Sequence, residues 1–209
     1  MRIDPSGWPF IGGACALAVV AAFATNPIAG LGLLILAGFF LFFFRDPDRV
    51  VTQAVNAILS PADGRVMVAG TPTGHKLPAG SWRQISIFLS PMDVHVNRMP
   101  IDGRVVKVRY HPGRFLPAYR PDAGDLNEYA EVWVDHGGQL IVVRQIVGIL
   151  ARRIVCRTSE GDEVRAGQRF GVMKFGSRMD VFMPSNAEIK VKVGDRVVGA
   201  ITVIGVLAQ

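Results

Sequence analysis

Two uncharged apolar runs, Trp8–Ala24 and Ile28–Phe44, open the chain with only Thr25-Asn26-Pro27 between them, and they constrain its fold more than any other feature. Each has 17 residues, about 26 Å of α-helix at about 1.5 Å per residue. A hydrocarbon core is about 30 Å thick, so spanning and shallow embedding are both open. The Asn-Pro dipeptide favours a turn. Residues 1–45 therefore read as a transmembrane or membrane-embedded helical hairpin with Arg2 at one end and Arg45 and Arg49 at the other. Both ends then lie on one side, and the positive-inside tendency makes that side the cytoplasm, with everything after Arg45 at the inner face of the cell membrane. A cleaved signal peptide competes, because Ala22-Phe23-Ala24 has the small-residue pattern of a cleavage site. The second apolar run argues against it, since a secretory segment needs only one.

Arg45-Asp46-Pro47-Asp48-Arg49 is a charged, proline-containing boundary, and residues 46–209 read as a second domain. There the pattern changes to short strand-like runs between glycines: Arg65–Ala69, Gln84–Leu89, Arg104–Tyr110, Tyr129–Asp135, Leu140–Leu150, Arg152–Arg157, and Glu188–Val206 in pieces. With little 3.6-residue periodicity, this part is mainly β. The segments Pro61-Ala62-Asp63-Gly64-Arg65-Val66 and Val191-Lys192-Val193-Gly194-Asp195-Arg196-Val197 are similar to the barrel-sandwich hybrid of biotinyl and lipoyl carriers, in shape only. A net charge of +6 suggests an anionic partner, nucleic acid or an acidic lipid surface, or else only keeps the protein soluble. An acidic lipid surface explains the apolar excess as well, so a membrane is expected and nucleic acid is not. The two cysteines, Cys15 and Cys156, make no disulfide framework, and no histidine or cysteine spacing suits a metal.

The run Arg169–Pro184, RFGVMKFGSRMDVFMP, carries the candidate chemistry. Its flanks alternate in polarity like strands, so Gly176-Ser177 is a tight corner between two β segments. A serine hydroxyl beside a strained peptide bond can attack that bond and form an ester by N-to-O acyl shift, given a base and oxyanion donors. Elimination from the ester leaves a pyruvoyl group on the new N-terminus. Together with SPADGRV at Ser60–Val66 and FLSPMDVHVNRMP at Phe88–Pro100, the run resembles the phosphatidylserine decarboxylase proenzymes.

The resemblance implies self-cleavage between Gly176 and Ser177 into chains 1–176 and 177–209, the second too short, at 33 residues, to fold alone. It further implies a covalent pyruvoyl cofactor derived from Ser177 that forms a Schiff base with the headgroup amine. Carbon dioxide then leaves phosphatidylserine to give phosphatidylethanolamine. Asp63, His95 and Ser177 are the expected cleavage triad, with Asp63 orienting the His95 ring. Some bacterial members carry a second histidine three positions after the one matching His95, where this chain has Arg98. A guanidinium is no base at ordinary pH, so Arg98 is expected to hold the substrate phosphate or carboxylate. The long segment Tyr110–Ala130 has little strand character, and Phe115 and Tyr119 within it, flanked by Arg114 and Arg120, either touch lipid at the substrate entrance or tuck under the barrel.

Two other functions fit some of the same residues. A membrane-anchored serine hydrolase would keep Asp63, His95 and Ser177, but Phe-Gly-Ser-Arg-Met lacks the nucleophile-elbow pattern. A non-catalytic membrane-anchored β adaptor would use only the barrel-sandwich likeness. The sequence leaves open the lipid backbone, any oligomer beyond the two chains, and whether His95 serves both cleavage and decarboxylation.

Overall fold

Asn26-Pro27 divides the apolar stretch into two helices, α1 (Trp8–Ala24) and α2 (Pro27–Phe43). Asn26 caps the second, its Oδ1 accepting from the Ile28 N–H at 2.8 Å, while Pro27 takes the first helical position, where no donor is needed. In this computed structural model, which describes residues 2–24, 26–72, 79–149, 154–174 and 176–208, the chain divides into two compact units, Met1–Asp48 and Arg49–Gln209. In the first, strands β1 (Arg2–Ile3) and β2 (Arg45–Asp46) pair antiparallel and bring the two ends of the helical hairpin together. Phe10 packs on Phe40 and Phe44, and the small residues Ala14, Ala18, Gly30 and Ala37 are buried.

Both helices keep large apolar side chains on the outside: Leu17, Val20, Leu31 and Ile35 are exposed and Phe23 is 90 % so. An apolar surface of this extent calls for a non-aqueous neighbour. The segment Pro5–Ala24 is long and apolar enough to cross a membrane, and Pro27–Phe43 is shorter.

The second unit is mainly β, as its alternating runs predict. Its strands are β3 (Ala57–Leu59), β4 (Gly64–Gly70), β5 (Trp82–Leu89), β6 (Val96–Arg98), β7 (Gly103–His111), β8 (Tyr129–His136), β9 (Gln139–Ile146), β10 (Ile154–Cys156), β11 (Glu163–Val164), β12 (Arg169–Met173), β13 (Ser177–Pro184), β14 (Glu188–Ile189), β15 (Arg196–Val197) and β16 (Val203–Val206). Eight of them form one antiparallel sheet in the order β11-β7-β8-β9-β13-β5-β4-β15, curled into a half-barrel. Its last pairing, Arg196 on Arg65 and Val197 on Gly64, joins the two segments whose likeness to a barrel-sandwich was noted. Two three-stranded sheets, β10-β12-β6 and β14-β16-β3, complete the unit. The strand expected over Leu140–Leu150 ends at Ile146, and of the one expected over Arg152–Arg157 the described part is Ile154–Cys156.

Alternation gives the large sheet two different faces. Ile85, Ile87, Val132, Val143, Met179 and Val181 point inward and form the core. The opposite face carries buried charge. Arg178 donates through Nε to Asp180 Oδ1 at 2.6 Å and through Nη2 to Ser86 Oγ at 3.0 Å, and Gln84 closes the group onto Asp180. Next to it Arg144 is clasped on Glu131 at 2.6 Å and lies over the Tyr129 ring. These pairs pin β13 to β5 and β9 to β8, since removing one partner would strand a buried charge at a cost of about 3–5 kcal/mol.

Candidate active site

Ser177 is the first residue of β13, in register with Leu89 of β5. Two and four positions before Met179 and Val181, it shares their inward face. It is fully buried, and its Oγ has no hydrogen-bond partner among the described residues. The residue ahead of it, Gly176, has φ +72°, in the left-handed region that side chains avoid. Strands β12 and β13, on either side of this corner, belong to different sheets, so the chain crosses between sheets here and does not fold back as a hairpin.

A tight turn at Ser90-Pro91-Met92-Asp93 sets up the base. Asp93 N–H donates to the Ser90 carbonyl at 2.9 Å, and Asp93 Oδ2 accepts from the Ser90 N–H at 2.8 Å. The chain then carries His95 into the interior, where its Nδ1 lies 2.9 Å from the Asp93 carbonyl. A carbonyl only accepts, so Nδ1 bears the proton and Nε2 keeps its lone pair. That Nε2 accepts from the Gly176 N–H at 3.4 Å. An imidazole lone pair is thus directed at the residue pair that would be cut.

Asp63 was expected to orient this ring, and the structure places its carboxylate on Arg49 and the Gly199 N–H. Its two carboxylate oxygens take Arg49 Nη1 at 2.5 Å and Nη2 at 2.7 Å, and Oδ1 also accepts from the Gly199 N–H at 2.8 Å. A two-pronged charged pair outcompetes a single bond to a neutral ring. Arg98, expected to hold the substrate phosphate or carboxylate, is buried and donates through Nη1 to the Gly167 carbonyl at 3.2 Å. Of the other histidines, His111 stacks on Tyr129 and His136 bonds the Asp102 carbonyl, while His75 lies outside the described residues.

An apolar cleft of about 370 Å³ opens beside Gly176, lined by Phe88, Pro91, Pro117, Ala118, Tyr119 and Ile149. Tyr119 meets Phe88 edge-on at 6.1 Å and stays 60 % exposed, whereas Ala118 tucks inward. Phe115 is exposed but does not line the cleft. Asn127 helps hold the long loop down: its side chain brackets Leu116 through that residue's N–H and carbonyl and donates to the Val147 carbonyl at 2.8 Å. At the loop surface Asp122 is held below the ordinary carboxylate range by the hydrogen bonds from Arg120. Burial raises the Tyr129 phenol and the Cys156 thiol, neither of which touches Ser177. Among the described residues no group of three or more His, Cys, Asp or Glu is placed to hold a metal ion.

A family model described as phosphatidylserine decarboxylase matches residues 36–205. The chain belongs to the phosphatidylserine decarboxylase family. The protein of Symbiobacterium thermophilum named phosphatidylserine decarboxylase proenzyme is 45 % identical over 208 residues, 99 % of this chain and 96 % of its own length. Proteins of the same name from Nitrosomonas europaea and Geobacter metallireducens are 41 % and 39 % identical over 97 % and 98 % of this chain.

The sequence alone gave little sign of Asn127, the Arg178–Asp180 pair or Gly148. The backbone of Gly148 packs against the Gly176 carbonyl oxygen, and a Cβ there would collide with it. Only the Val-Gly-Ile context hinted at it, and that context is common. Gly148→Ala is expected to push the Gly176 carbonyl out of line and, if the chain cuts itself after Gly176, to slow that cut about 100-fold, the order of effect of a 1 Å misplacement. The band ratio of uncut to cut chain during expression reads this directly, and a normal cleavage rate would remove Gly148 from the site.

Proposed function

We propose that the chain cuts itself between Gly176 and Ser177 and then removes carbon dioxide from phosphatidylserine to yield phosphatidylethanolamine. The observation that carries this reading is the meeting of three things at one corner: a left-handed Gly176, a buried unpartnered Ser177 hydroxyl, and a His95 lone pair on the Gly176 N–H. His95 Nε2 takes the hydroxyl proton as Ser177 Oγ bonds to the Gly176 carbonyl carbon, and the proton passes to the departing nitrogen as the peptide bond breaks. Loss of the α-proton of residue 177 then expels the Gly176 carboxylate. Hydrolysis releases the former Ser177 nitrogen as ammonia and leaves a pyruvoyl terminus.

The surroundings of residue 177 fit such a group. The position is buried at a strand start, and an oxygen there has hydrogen-bonding capacity that nothing fills. The group supplies a carbonyl that condenses with the headgroup amine and takes up the electron pair left behind by carbon dioxide. His95 Nε2 is the place where a proton can be held beside it. The apolar cleft next to Gly176 suits the glycerol and acyl part of the lipid, with Tyr119 and Phe88 as its rim. The helical hairpin anchors the enzyme in the cell membrane, with the β unit on the cytoplasmic side and its two chains remaining together as a heterodimer.

Mass spectrometry of the purified protein under denaturing conditions tests this. The expected result is two chains, 1–176 and 177–209, the smaller one blocked to Edman degradation. A single chain with an intact Ser177 overturns the proposal.

A further inference from the structure

Self-cleavage leaves two buried amides without a task. Asn97 and Gln145 are both 0 % exposed, and Gln145 Nε2 donates to Asn97 Oδ1 at 2.8 Å. Among the described residues Gln145 Oε1 and Asn97 Nδ2 have no partner. Buried amides almost always satisfy both ends, so an adjacent orphan donor and orphan acceptor mark a place built for something else. Their position says where. Gln145 is in register with Met179 on the inward face of the large sheet, and Ser177 lies two residues along that same face. On the opposing segment His95 and Asn97 are also two residues apart, His95 reaching Gly176 and Asn97 reaching Gln145. The amide pair is therefore the next row of the same site, inward of the serine.

The chemistry of the pair is specific. It offers one N–H donor and one carbonyl acceptor, both neutral, in a dry interior. The α-carbon of a serine headgroup carries a carboxylate, which needs a donor, and an amine, which needs an acceptor. A neutral donor also suits a carboxylate that must leave as uncharged carbon dioxide, because a cation would stabilise the carboxylate and not the product, and so raise the barrier. We propose that Asn97 and Gln145 form the headgroup-recognition pair, Asn97 Nδ2 donating to the substrate carboxylate and Gln145 Oε1 accepting from the amine. This rests on the function proposed above, since severing the chain at Gly176 is what opens the inward face to a ligand.

The test uses the processed protein after its terminal carbonyl has been reduced with borohydride, so that only non-covalent binding remains. Dioctanoyl-phosphatidylserine and dioctanoyl-phosphatidylethanolamine, below their micellar concentrations, are titrated by calorimetry. The unsubstituted protein is expected to prefer the serine lipid at least ~10-fold, the scale of a hydrogen bond to a charged group. Asn97→Ala should erase that preference by weakening the serine lipid ~10-fold, with the ethanolamine lipid changed less than ~2-fold. Should Asn97→Ala fail to process, Asn97→Ser, whose hydroxyl is too short to reach, is expected to give the same loss. Equal binding of the two lipids by the unsubstituted protein, or a preference that survives in the variant, overturns the assignment. An unsubstituted protein that never divides into two chains instead defeats the underlying function, so the two failures are distinct.

Discussion

Ser177→Ala is expected to yield one uncut 209-residue chain with no decarboxylation above background, a complete loss. In the proposed reaction the hydroxyl is both the nucleophile that breaks the backbone and the group whose elimination creates the cofactor, so nothing downstream could proceed without it. The loss should be purely chemical. Ser177 Oγ is buried without a partner, and replacing an unsatisfied buried hydroxyl with hydrogen is neutral or stabilising. The variant should therefore melt no lower than the processed protein, and its continuous chain should raise the melting temperature further. Measuring mass, melting and phosphatidylethanolamine formation on the same preparation separates chemistry from folding. A folded, uncut variant that still releases carbon dioxide from phosphatidylserine would exclude the pyruvoyl mechanism.

The second large effect belongs to His95. His95→Ala is expected to slow self-cleavage by about 10²–10⁴-fold, the usual contribution of a positioned general base. Its Nε2 is the lone pair lying against Gly176, and its tautomer is set by the Asp93 carbonyl and not by a carboxylate. Asp63→Asn provides the contrast. Because Asp63 is engaged with Arg49 and Gly199, its substitution should loosen the turn at Ser60–Gly64 and slow cleavage far less than His95→Ala does. Time courses of band conversion after a translation block measure both. Equal slowing by the two variants would restore Asp63 to the triad, and an unimpaired His95→Ala would remove histidine from the reaction.

Several of these features were legible along the chain and others were not. Asn26-Pro27 announced the break between two helices, and the alternation around Gln84–Leu89 and Met179–Met183 announced strands, because each signal is contained within a few neighbouring residues. The Ser90–Asp93 corner and the Gly176-Ser177 corner were equally local. The partners of Asp63 were not legible, for a different reason. Which base its carboxylate meets depends on Arg49 and on Gly199, the latter 136 residues away, and no local pattern encodes that choice. Arg98 followed the same course, since the Gly167 carbonyl that holds it lies 69 residues on.

By itself the order of amino acids determined the apolar hairpin, the β character of everything beyond it, the family, and the corner at which the backbone is expected to break. These are written in composition and in short-range periodicity. Only the tertiary structure decided the partners: His95 with Gly176, Asp63 with Arg49, and Asn97 with Gln145, separated by 81, 14 and 48 positions. Sheet register and the stacking of one sheet on another set those meetings, and a strand shifted by a single residue would present the opposite face to the site.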